Sequence, residues 1–134
     1  MLKQLSIYAE NKKGALQALT NALYEAGINI WGSVTNDGAE YGINRMVVSD
    51  PDKAKEVLTE KGYLGRFVDV LAVEIEDKPG ALNTLLTALL DSNVNVDYTY
   101  LSFNRDSSTP VMIMHTADPE EVELCLKAKG FKMC

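Results

Sequence analysis

Two short stretches carry the residue types from which a clamp for a small zwitterion can be built. In Glu76-Asp77-Lys78-Pro79-Gly80-Ala81-Leu82 an acidic pair leads into a Pro-Gly turn and a helix-forming run, and Glu10-Asn11-Lys12-Lys13-Gly14-Ala15-Leu16 repeats that order. The first amides of a helix have no intrahelical acceptor, and with the helix dipole they suit a carboxylate. The amides near Ala81 and Leu82, or near Ala15 and Leu16, are the expected donors. Gly80 and Gly14 lack a side chain, which lets a ligand approach the backbone closely. Asp77, or Asn11 in the other copy, can receive an ammonium group, and Asn95 or Asn29, at the start of the following strand, offers both a donor and an acceptor. Each residue also has a plain structural use, since Asp77 and Asn11 can cap a helix and Gly80 can simply permit a turn.

Other chemistry finds little support in the sequence. There is one histidine, His115, on a strand among methionines, and no nucleophile stands at a recognisable spacing from a base. No Walker or dinucleotide-binding glycine pattern and no Cys/His cluster occurs, so no catalytic residue, cofactor or metal is expected. Arg45, Arg66 and Arg105 lie away from the glycine turns, against a phosphate-handling enzyme of small ferredoxin type. Cys125 and Cys134 have no paired spacing, and Cys125 falls at helical spacing with Val122 and Leu126, as a small buried residue does. Trp31, Tyr98 and Tyr100 are read as sheet or interface packing. A net charge of -6 disfavours nucleic acid, whose backbone demands clustered Lys and Arg. No apolar run nears the roughly 20 residues of a membrane span, and the first residues lack a signal peptide's apolar core, so a cytoplasmic location is the default.

The elements that must position these residues come in two sets, because the chain is duplicated. Shifting residues 10–30 by 66 positions onto 76–96 pairs Glu10 with Glu76, Lys12 with Lys78, Gly14-Ala15-Leu16 with Gly80-Ala81-Leu82, and Asn29 with Asn95. Between them Leu19, Ala22 and Leu23 meet Leu85, Ala88 and Leu89. Each half opens on alternating apolar residues, Leu5 and Ile7 or Leu71, Val73 and Ile75, as a strand does. A helix follows, with Leu16, Leu19, Leu23 and Ala26, or Leu82, Leu85, Leu86 and Leu89, forming an apolar stripe. Gly27 ends the first helix and Ser92-Asn93 the second. Second and third strands are joined by turns at Asn36-Asp37-Gly38 and at Asn104 to Ser108, the longer second turn widening the offset to 68. Asp50-Pro51 and Asp118-Pro119 then start the second helices, with Glu121 completing a capping box, and Gly62 and Gly130 end them.

This is α+β architecture: two ferredoxin-like βαββαβ units, the second with a short last strand, each an antiparallel sheet with its helices on one face. The expected domains are residues 1–68 and 69–134. Units this small bury only about 60% of their unfolded surface and are marginal alone. Val111 to Met114 and Met46 to Val48 are apolar on both faces, so a second face or an edge must be covered, and the sheets are expected side by side or back to back.

The Asp77 to Leu82 and Asn11 to Leu16 stretches, with the triplets Ile28-Asn29-Ile30 and Val94-Asn95-Val96 and the duplicated topology, resemble a tandem ACT-domain protein over essentially the whole chain. Lys13 replaces the proline found at Pro79, and no catalytic domain is attached. The resemblance implies a stand-alone regulatory protein that binds a free amino acid at the interface of the two domains. It implies a ligand set of Asn11, Lys12, Gly14, Ala15, Leu16 and Asn29 with Asp77, Lys78, Gly80, Ala81, Leu82 and Asn95. The expected partners are a free amino acid, an amino-acid metabolic enzyme or regulator, and further copies of the chain in a homo-oligomer. The competing reading is a protein-interaction module of the same fold with no ligand.

Overall fold

The structure, a computed structural model, describes residues 1–36 and 41–134. The chain divides into two compact units, Lys3–Val68 and Asp69–Cys134, the latter also holding Met1–Leu2.

In the first unit β1 (Leu2–Glu10) is followed by α1 (Ala15–Glu25), β2 (Ile30–Asn36), β3 (Tyr41–Val48), α2 (Pro51–Glu60) and the opening residues of β4 (Leu64–Glu74). β3 pairs antiparallel with both β1 and β2, Leu5 facing Met46 and Ser33 facing Met46 across the two ladders. Leu5 and Ile7 alternate out of β1 into one core with Leu19, Leu23 and Leu58 from the helices, all nearly inaccessible to water. Burying each such side chain contributes roughly 1.5–3 kcal/mol, which is what orients α1 and α2 against the sheet. Gly65 of β4 packs closely on β1: a Cβ there would lie 2.4 Å from Ile7 Cδ1, so that side chain would have to shift. Of the turn expected at Asn36-Asp37-Gly38, residues 37 and 38 lie outside the described residues.

The second unit repeats the plan with the end of β4, α3 (Ala81–Asp91), β5 (Val96–Phe103), β6 (Pro110–Thr116) and α4 (Pro119–Ala128). β6 pairs antiparallel with β4 (Val73 with Met112) and with β5 (Leu101 with Met112). The expected short last strand is a single bridge, Met133 beside Val73. Leu71, Val73, Met112 and Met114 close a core with Leu85, Leu89, Val122 and Leu126. Val111 and Ile113, on the opposite face of β6, are buried too, as its two-sided apolar sequence requires. Two units of βαββαβ type are thus present, and β4 is one uninterrupted strand that ends the first and opens the second.

Most helix ends follow the expected chemistry. Asp50 caps α2, its Oδ1 accepting the Lys53 amide at 3.2 Å. Gly27, Gly62 and Gly130 take the left-handed φ that terminates α1, α2 and α4, and Asn93 does so after α3. Asp118 departs from expectation. It sits at φ 50°, ψ 57° and caps nothing, so the box with Glu121 does not form. The apolar stripes are also narrower than their sequences suggest, for Leu16, Leu82 and Leu86 remain 47%, 37% and 37% exposed. Leu86 lies at the margin of its stripe, and Leu16 and Leu82 lie in first turns.

Candidate ligand-binding site

Each unit carries a pocket at its glycine turn. In the first unit it has a volume of about 500 Å³, in the second about 390 Å³, both within the range of small-ligand sites. Their linings correspond position by position. Tyr8, Ala9, Glu10, Lys12, Ala15 and Ala18 of the first match Glu74, Ile75, Glu76, Lys78, Ala81 and Thr84 of the second at the offset of 66. The opposite wall, Gly62-Tyr63-Leu64 in one and Gly130-Phe131-Lys132 in the other, matches at the offset of 68. Each pocket is lined wholly from within its own unit.

The floor is the start of a helix. Gly14 and Gly80 precede α1 and α3 at φ 83° and 85°, and no side chain caps either helix. The Ala81 amide is already used, donating to the Lys78 carbonyl at 3.3 Å, as Ala15 donates to Lys12 at 3.2 Å. The Thr84 amide returns to the Gly80 carbonyl at 2.9 Å. The expected donor pair therefore shifts by one residue, to the amides of Leu82 and Asn83, and of Leu16 and Gln17, which as first-turn amides have no intrahelical acceptor. A Cβ on Gly14 or Gly80 would meet no protein atom within 4 Å, and the left-handed φ is by itself sufficient reason for glycine.

Charge at the rim is duplicated as well. Lys12 lies 2.9 Å from Glu10, and Lys78 lies 2.8 Å from Glu76. The hydrogen bond that Lys12 donates to Glu10, helped by the carboxylate's charge, raises the Lys12 ammonium above its ordinary range. Deeper in the second pocket stands Glu74. Burial works to raise its carboxyl, but hydrogen bonds from Asn104 and Lys132, the charge of Lys132 and a bond from Cys134 outweigh burial and hold it below the usual carboxylate range. The same neighbourhood raises the Cys134 thiol, through burial first and then the Glu74 charge.

The structure gathers Lys12, Gly14 and Ala15 in the first pocket and Lys78 and Ala81 in the second. Asp77 is exposed and does not line the cavity, where Glu74 and Glu76 do. Asn95 and Asn29 sit apart within their units. Each follows the C-terminal end of a helix whose N-terminus forms the pocket, and 11 residues of helix put about 16 Å between the ends. Asn95 donates to Asp97 at 3.2 Å and lines a different cavity with Asp118 and Glu121. Asn29 is tied to Ser49, its amide donating to the Ser49 hydroxyl and its carbonyl accepting the Ser49 amide, both at 2.9 Å. Each therefore stands about a helix's length from the glycine turn of its own unit. The sequence reading missed the Gly-aromatic wall, although its recurrence at the offset of 68 was a usable signal.

His115 places its Nδ1 2.8 Å from Asp97 and stacks its ring on Tyr98, the centroids 5.1 Å apart. Cys125 is half-buried, with its sulfur 3.2 Å from the Ser92 hydroxyl. Among the described residues no group of His, Cys, Asp and Glu is placed to hold a metal, and no helix is long and apolar enough to cross a membrane.

Paired βαββαβ units, each with an uncapped helix start opening into a pocket, define a duplicated ferredoxin-like module. The chain belongs to the ACT domain pair family, whose model matches residues 1–131. It is similar to protein BT0572 from Bacteroides thetaiotaomicron, at 31% identity and a TM-score of 0.91 over 99% of this chain and 91% of that one. It also resembles the ligand-free regulatory subunit of aspartate kinase from Thermus thermophilus, at 16% identity and a TM-score of 0.68 over 94% and 88%. The corresponding subunit from Thermus flavus matches at 19% and 0.62 over 96% and 91%. No match is found among functionally curated proteins.

Proposed function

We propose that this chain is a regulatory protein that binds a free amino acid in a pocket at a glycine turn, and that it is not an enzyme. The observation that carries this reading is the repetition, in both units, of an uncapped helix N-terminus, a Glu-Lys ion pair and a Gly-aromatic wall around one cavity. Helix caps and turns account for single residues, but a cap requires no cavity, and here the caps are missing. The carboxylate of the ligand rests on the amides of Leu82 and Asn83 beside Lys78, or on those of Leu16 and Gln17 beside Lys12. Residues 1–68 and 69–134 form the two ACT-like domains. A regulatory role agrees with the fold shared with the aspartate kinase regulatory subunits, and the partner it implies is an enzyme or regulator of amino-acid metabolism. Further copies of the chain are a second partner, since Leu101 and Phe103 are each 50% exposed on β5.

The test is thermal unfolding against a panel of free amino acids. Ligand that binds only the folded state must raise stability, by about 2.7 kcal/mol at a hundredfold excess over Kd. A rise with one or a few amino acids supports the reading. No rise with any of them at millimolar concentration favours a ligand-free interaction module.

A further inference from the structure

The two pockets share a frame but not a charge pattern. Where Tyr8 and Leu64 line the first, Glu74 and Lys132 line the second. The Glu74 side chain is only 9% exposed, against 75% for Lys132, and the two approach to 3.2 Å. A carboxylate that deep remains charged only with partners. Asn104 donates its Nδ2 to Oε1, Lys132 its Nζ to Oε2, and the Cys134 thiol bonds as well. Asn104 is fixed, because its Oδ1 accepts the amides of Asp106 and Ser107 at 2.9 and 3.3 Å. Lys132 is held far less firmly. Its flexible stem lies largely in solvent, and an ion pair with so exposed a member adds little. Its ammonium therefore occupies a place that another ammonium can take.

The geometry points to Glu74 as the ammonium receptor of the second pocket, with Lys132 a tethered placeholder that an amino acid displaces, so that each chain takes one ligand there. This rests on the proposed binding of a free amino acid. Glu74 and Glu76 balance Lys78 and Lys132 around that cavity, and a net-neutral lining of separated charges suits a zwitterion better than an anion or a cation. The first pocket has no counterpart to Glu74. Its acidic residue, Glu10, is exposed and already paired with Lys12.

Calorimetry on the intact chain tests the assignment, with the twenty amino acids and their N-acetyl derivatives as probes. One site per chain is expected, with binding abolished by N-acetylation. The best-bound amino acid should lose about tenfold or more in affinity with Glu74→Gln, since a charge-assisted hydrogen bond is removed. It should gain about two- to fivefold with Lys132→Met, because the competitor is gone. If Glu74→Gln fails to fold, Lys132→Met decides alone. Two sites per chain, or affinity that Lys132→Met weakens or leaves unchanged, overturns the assignment. Heat with none of the amino acids overturns the amino-acid reading itself, and this assignment with it.

Discussion

Replacing Gly80 by alanine separates two reasons for a glycine that the sequence alone leaves entangled. The residue holds φ 85°, and a Cβ built on it touches nothing within 4 Å, so the cost of alanine is conformational and not steric. A left-handed conformation costs an L-residue about 1–2 kcal/mol. The alanine also restricts the unfolded chain, which returns about 0.4–1 kcal/mol. The net expectation is a loss of about 1 kcal/mol. Asparagine tolerates this region, as Asn93 does here at φ 58°, and should lose less. Valine, branched at Cβ, should lose more. Urea unfolding followed by far-ultraviolet circular dichroism measures the series, and calorimetry on the folded variants measures ligand affinity. Because Gly80 itself does not line the cavity, affinity for the bound amino acid should stay within about twofold for Gly80→Ala. Wild-type stability in Gly80→Ala would refute the conformational account. A tenfold loss of affinity in a folded Gly80→Ala would refute the claim that the glycine serves the backbone and not the ligand.

Asp50→Ala removes the cap of α2 and should cost about 1 kcal/mol, whereas Asp118→Gly relieves a left-handed residue that caps nothing and should gain roughly 0.5 kcal/mol; chemical denaturation checks both. Gly65→Ala forces a methyl against Ile7 in the closed first core and should destabilise by about 1–3 kcal/mol, read as a lower unfolding midpoint. Leu85→Ala, at a position with no exposure, should cost about 2–5 kcal/mol by the same measurement. The depressed Glu74 carboxyl makes the folded state bind its proton less readily than the unfolded chain does. Its stabilising effect is therefore complete above the ordinary carboxyl value of 4.5 and is lost as pH falls through the lower folded value, so Glu74→Gln should flatten the acid limb of a stability-against-pH curve.

What was legible in the sequence was local chemistry repeated twice. Alternation in Leu5-Ile7 and Leu71-Val73, stripes such as Leu19-Leu23 and Leu85-Leu89, and the glycines at 27, 62 and 130 each depend on neighbours close in the chain. Asp50 likewise needs only Lys53 to act as a cap. Asp118 shows the limit, because its identical Asp-Pro setting adopts a left-handed turn that no local rule distinguishes. The glycine turns were visible, but their opposite wall is brought in by α2 and α4 from some 50 residues further along, a tertiary pairing that local patterns do not encode. The place of Asn29 and Asn95 is tertiary information of the same kind. They repeat in register with the glycines, yet a whole helix separates each from the turn in its own unit. Glu74 was hidden by its place in a strand, where nothing marks a carboxylate as buried until Asn104 and Lys132 arrive beside it.

The difference between Tyr8 and Glu74 bears on the shape of a binding curve. Two separate copies of one small unit must carry the same residue at that position and so present equal sites, whose mutual influence can make the response to ligand sigmoidal. Joining the copies in one polypeptide lets each position drift independently, and here the receptor carboxylate stands on one side only. If Glu74 is the one receptor, as proposed above, the chain should saturate hyperbolically, with a Hill coefficient of about one, and any steepness beyond that has to come from association between chains.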